Sequence, residues 1–129
     1  MARPSTTPRG DQGSGKGAAG MPGTRIPDAI KAQIADRITT FNRTVLQDPH
    51  VYYLPRYRGS YLYLDRCDYG QVGRIGRLTY LGTLERWEFA IYRYSDERYD
   101  PDEWLFPGAE ELDGTIEGAM RAGMAAYPP

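Results

Sequence analysis

The chain has one cysteine and one histidine among its 129 residues. A single cysteine cannot close a disulfide framework, and one residue of each kind cannot supply the ligand sets of the usual zinc sites. Lysine is nearly missing, at two residues against 14 arginines. No apolar run approaches the roughly 18 residues needed for a membrane-spanning helix, and the N-terminus has no hydrophobic signal core. From residue 25 onward there is no nucleophile elbow, no HExxH and no nucleotide fingerprint. Charge of one sign is also lacking: 16 Lys+Arg stand against 17 Asp+Glu, which excludes a histone-like polycation. These absences point to a soluble, cytoplasmic protein of bacterial type, with no cofactor, no metal and no membrane partner.

Glycine and proline are plentiful, and they gather first in residues 1–24 together with Ser, Thr and Ala. That segment has no aromatic and no branched aliphatic residue. It cannot bury enough apolar surface to offset its ordering entropy, so it reads as a disordered tail ahead of a single domain over 25–129. Gly10–Lys16 imitates a phosphate-binding loop, but Gly17 stands where the Mg²⁺-holding hydroxyl belongs and no strand precedes it. Arg9-Gly10-Asp11 copies an adhesion tripeptide in a chain without an export signal. Both strings read as linker.

After Pro27-Asp28, apolar residues recur at Ile30, Ile34, Ile38, Phe41 and Val45, which is one stripe of a helix ending before Asp48-Pro49. From Val51 the period becomes two. Four strands follow, at 51–57, 60–66, 74–81 and 85–95, joined by connections short enough to require antiparallel neighbours. Pro55 marks the first strand as an edge, and Gly76 marks a bulge in the third. Residues 96–108 read as an acidic, aromatic loop. A last helix is expected from an Asp113 cap to about Tyr127, with Gly114, Gly118, Ala122 and Ala126 as a small-residue ridge for close packing. The expected fold is α+β: a four-stranded antiparallel meander with an N-terminal and a C-terminal helix on one face (αββββα).

Alternation places Leu62, Leu64, Leu78, Tyr80, Trp87, Phe89 and Ile91 on the inner face and sends Tyr61, Tyr63, Arg77, Thr79, Tyr92 and Tyr94 outward. An exposed tyrosine platform with arginine is of the chemical type on which bases stack. Residues 51–95 carry seven arginines against four acids, whereas 96–129 carry nine acids against two arginines. A basic sheet and an acidic C-terminal third should pair internally, or across a twofold contact. In the acidic loop, Asp100, Asp102, Glu103 and Trp104 are the candidate residues for carboxylate or metal chemistry. However, Pro101 between the aspartates and the absence of glycine before Gly108 break the Ca²⁺-loop pattern. Cys67 beside Arg66 has only His50 as a prospective base, and nothing in the spacing joins the two.

Four strings, Tyr61–Arg66 (YLYLDR), Trp87–Ser95 (WEFAIYRYS), Tyr99–Trp104 (YDPDEW) and Asp113–Met120 (DGTIEGAM), resemble a group of small bacterial proteins of the domain-of-unknown-function kind. The resemblance covers about residues 26–129. It implies one intact domain that includes the acidic loop, and it carries no activity, cofactor or catalytic residue. The reading from sequence is a non-enzymatic binding or interaction module that takes a protein partner or a second copy of the chain, using the Tyr/Arg sheet face or the acidic loop. The alternatives are a single-stranded nucleic-acid binder on Tyr61, Tyr63, Arg77, Tyr92 and Tyr94, and a carboxylate-based or metal-assisted enzyme at 96–104.

Overall fold

A computed structural model describes residues 24–129; residues 1–23, with the two motif-like strings, lie outside the described residues. Helix α1 spans Asp28–Phe41, with Pro27 in extended conformation as its N-cap. It buries Ile34, Ile38 and Phe41 as the spacing requires. Val45 departs from the expected stripe and is 55% exposed. The cause is local: the helix ends in a π-helical turn over Asn42–Leu46, closed by Gln47 N–H donating to the Asn42 carbonyl. The wider turn rotates later residues off the α-helical face.

Five strands follow: β1 (Val51–Arg58), β2 (Tyr61–Asp68), β3 (Gln71–Thr83), β4 (Arg86–Arg93) and β5 (Arg98–Asp100). They form one antiparallel sheet in the order β1-β2-β3-β4-β5. The meander is as expected, with Pro55 on an edge strand. The fifth strand corrects the expectation of four: a tight turn over residues 94–97 lets Tyr99 face Tyr92, so part of the acidic segment joins the sheet. Three residues are too short a run for alternation to be recognised in sequence. A bulge falls where Gly76 announced it. Leu64 faces Gly76 while Asp65 faces Arg74, which leaves Ile75 as the extra residue, buried in the core.

Helix α2 runs Ile116–Ala126. Its cap is Thr115, whose hydroxyl accepts from Gly118 N–H, and not Asp113. Asp113 lies two residues earlier and accepts from the Thr115 N–H and hydroxyl, which holds its carboxyl below the usual carboxylate range. Both helices cover the face carrying Leu62, Leu64, Leu78, Tyr80 and Trp87. The close approach of α2 depends on Gly123, where a Cβ would lie 2.5 Å from both Ile75 and the Tyr53 hydroxyl. Gly114 precedes the helix, and its carbonyl accepts from Trp87 N–H. The result is a two-layer domain with helices on one side of the sheet and none of the described helices on the other.

Candidate functional site

The outer face gathers residues from four strands. Tyr61 and Tyr63 come from β2, Arg74 and Arg77 from β3, Tyr92 from β4 and Tyr99 from β5, with Arg56 of β1 at the margin. Their order is set by register, because Tyr63 faces both Arg56 and Arg77, and Tyr92 faces Tyr99. Next to Arg77 on β4 stands Ala90, whose small side chain leaves room for Tyr99 to reach Tyr63, at 5.2 Å between ring centroids. Tyr99 also meets Tyr92 edge-on at 4.9 Å, and Tyr92 meets Tyr94 at 4.8 Å. Tyr94 then touches Tyr127 from the end of α2 at 5.4 Å.

Arginine planes fill the spaces between the rings. Arg77 lies 4.4 Å from the Tyr61 centroid and 5.6 Å from that of Tyr99, Arg56 lies 4.4 Å from Tyr63, and Arg74 lies 5.5 Å from Tyr92. Such contacts contribute about 0.5–1 kcal/mol each when exposed and more when shielded from water. Arg56 is electrically satisfied: it forks onto Asp65 at 2.9 and 3.2 Å and donates to the Tyr99 hydroxyl. Arg74 and Arg77 differ. Among the described residues no carboxylate lies within ion-pair distance of either, and the Arg77 Nε is buried without an acceptor.

The platform is less open than alternation alone implies. Tyr61, Tyr63, Arg77 and Tyr99 are half-buried, Tyr94 is exposed, and Tyr92 is only 6% exposed beneath its neighbours. Burial pushes the Tyr94 and Tyr99 phenols above their usual value, so both stay neutral at physiological pH, Tyr94 donating to the Arg74 carbonyl and Tyr99 accepting from Arg56. Strand alternation marks neither Tyr99 nor Tyr127 as a platform residue. Tyr99 lies in a segment that reads as loop, and Tyr127 reaches the platform only because α2 ends beside β4, where its hydroxyl donates to the Tyr92 carbonyl.

The acidic candidates do not converge on a shared point. Asp100 is buried, and the Asp102 N–H donating to it, with Arg98 and Arg93 beside it, holds its carboxyl below the usual range. Glu103 accepts from the Leu105 N–H and from Arg93 at 3.5 Å. Asp102 and Trp104 are exposed. The loop carboxylates are thus largely committed to Arg93 and Arg98, and among the described residues no three metal-ligating side chains converge. His50 stacks on Tyr69, while Cys67 is buried facing Tyr52, and among the described residues no hydrogen bond joins the two.

One residue with a central role had no sequence signal beyond its charge. Arg66 is 1% exposed on the inner face, where it pairs bidentately with Asp68 and donates to the Gly123 and Tyr127 carbonyls at the end of α2. A cation there meets the negative end of the helix dipole.

No family model, no curated protein and no solved structure matches this chain. Function therefore has to be argued from the geometry.

Proposed function

We propose that the protein is a non-enzymatic interaction module whose outer sheet face binds a carboxylate-bearing protein surface. The observation that carries this reading is the pair Arg74 and Arg77, held between tyrosine rings without a carboxylate partner among the described residues. A buried donor without an acceptor costs on the order of 1–3 kcal/mol, and a guanidinium already fixed against an aromatic ring loses little further freedom on binding. Such a site favours a partner that brings negative charge to a preorganised fork. Several of the described carboxylates near the sheet are directed elsewhere: Asp65 to Arg56, Glu117 to Arg37, and Asp100 to Arg93 and Arg98.

A second reading, single-stranded nucleic acid on the same face, is favoured by the alternation of guanidinium planes and rings, since both stack on bases. Fluorescence anisotropy separates the two. A labelled Asp/Glu-rich peptide should bind, and Arg74→Ala with Arg77→Ala should weaken it at least tenfold. A labelled oligonucleotide of about 15 nucleotides that bound more tightly, with steep salt dependence, would replace the first reading by the second. If neither probe binds and sedimentation shows no self-association that Arg77→Glu abolishes, the outer face is structural and the proposal fails.

A further inference from the structure

A second surface lies at the opposite side of the sheet edge, independent of the tyrosine platform. Strand β5 pairs with β4 only at Ile91, Tyr92 and Arg93 and then leaves it. The rest of the β4 edge, Trp87 to Phe89, borders a cavity of about 350 Å³. Its floor is Leu78 and Ala119, its walls are Trp87, Phe89 and Leu112, and its lip is Pro101 with Trp104. Trp104 is 64% exposed and the adjacent Leu105 is 93% exposed, an unusual pair of large apolar side chains to leave in water.

The backbone at this edge is poised for pairing. The Trp87 N–H points away from β3, as its bond to the Gly114 carbonyl shows. In an antiparallel ladder the direction alternates by residue, so the Phe89 N–H and carbonyl point the same way. Among the described residues they have no hydrogen-bond partner beyond the sheet. A strand continuing the line of β5 would meet them, and its side chain opposite Phe89 would enter the cavity. The surroundings are acidic: Glu88 lines the cavity, Asp102 adjoins Pro101, and neither has an ion-pair partner among the described residues.

We propose that this edge captures an extended peptide by strand addition, taking one large apolar side chain flanked by basic residues. Main-chain bonds to Phe89 supply affinity, the cavity selects the apolar side chain, and the carboxylates at the rim select its neighbours. The occupant continues the sheet where β5 abandons it, which also covers an otherwise open edge.

Both tryptophans of the chain line the cavity, so intrinsic emission reports its occupancy directly. The probe is the peptide acetyl-Val-Arg-Phe-Arg-Val-amide, titrated into the full chain. A saturable change in tryptophan emission is expected. Binding should weaken at least tenfold when the phenylalanine nitrogen is methylated, and at least tenfold when both arginines become glutamates. Trp104→Ala, a change at an exposed lip whose folding is checked by circular dichroism, should weaken it about fivefold or more. Equal binding of the N-methylated peptide would overturn strand addition, as would no saturable change up to about millimolar peptide. Arg74→Ala with Arg77→Ala should leave this titration unchanged, so the two surfaces stand or fall separately.

Discussion

At the scale of single residues, Arg66 is the most consequential side chain in the molecule. Held by Asp68 of its own strand, it ties β2 to the last turn of α2 through two helix-end carbonyls. Removing it leaves two helix-end carbonyls without their donor and the part-exposed Asp68 carboxylate without its partner, so Arg66→Ala should cost about 2–4 kcal/mol in urea denaturation. Arg66→Lys should recover only part of this, because an ammonium cannot reproduce the fork. Tyr53 gives a pH signature at the same place. Its hydroxyl donates to the Met120 carbonyl, and burial pushes its pKa from 10.0 to about 12. A group raised on folding stabilises the native state fully below the unfolded value and loses that contribution as pH climbs through the folded one. Stability should therefore decline between about pH 10 and 12, and Tyr53→Phe should remove that part of the slope while costing about 1 kcal/mol near neutrality through the lost hydrogen bond.

At the scale of elements, the helices depend on contacts between layers more than on their own sequences. Arg37 of α1 forks onto Glu117 of α2 at 2.6 and 2.8 Å and also reaches Glu85 in the β3–β4 turn, so three elements share one guanidinium. Arg37 holds the Glu117 carboxyl below its ordinary 4.5. A carboxyl lowered on folding stabilises the native state above the unfolded pKa, and the benefit fades as pH falls below about 4.5. The groups are partly solvated, so the pair contributes about 1 kcal/mol at most. Glu117→Gln should lower stability at pH 7 by that amount and flatten the acid limb in thermal unfolding below pH 4.5. Gly123→Ala tests the helix–sheet contact itself. Its added methyl meets Ile75 and the Tyr53 hydroxyl, both in the core, and should cost about 1–3 kcal/mol by overpacking. Alanine at the exposed Ala125 position shows that the helix accepts such a side chain where no strand lies beneath it.

At the scale of the whole molecule, the near-zero net charge conceals an organised distribution. Residues 96–129 carry nine acids against two arginines, yet Asp100 and Glu103 are paired with Arg93 and Asp100 with Arg98. The expected internal pairing of sheet and loop therefore exists, but it runs through β4 and β5 and leaves Arg74 and Arg77 aside. If those two serve recognition, Arg74→Ala with Arg77→Ala should change folding stability by no more than about 1–2 kcal/mol in chemical denaturation, since their aromatic contacts are offset in part by removal of the unsatisfied Arg77 Nε. A large loss would assign them to the fold.

Much of this architecture was legible in sequence because it rests on local rules. The stripe Ile34, Ile38, Phe41 and the alternation of Leu62, Leu64 and Leu78 identify helix and strand faces by period, and short turns dictate an antiparallel meander. Pro55 and Gly76 announce an edge and a bulge through backbone chemistry. The Tyr/Arg composition of the outer face follows from the same alternation. What period and propensity could not decide is which charges meet, because partners such as Arg37 and Glu117 are 80 residues apart. Only the folded arrangement buries Arg66 under a helix end, lays Tyr99 over Ala90, covers Tyr92, and leaves the Phe89 edge open beside Trp104. Periodicity is a property of neighbours along the chain, and these features depend on the distances that packing sets between residues far apart in it.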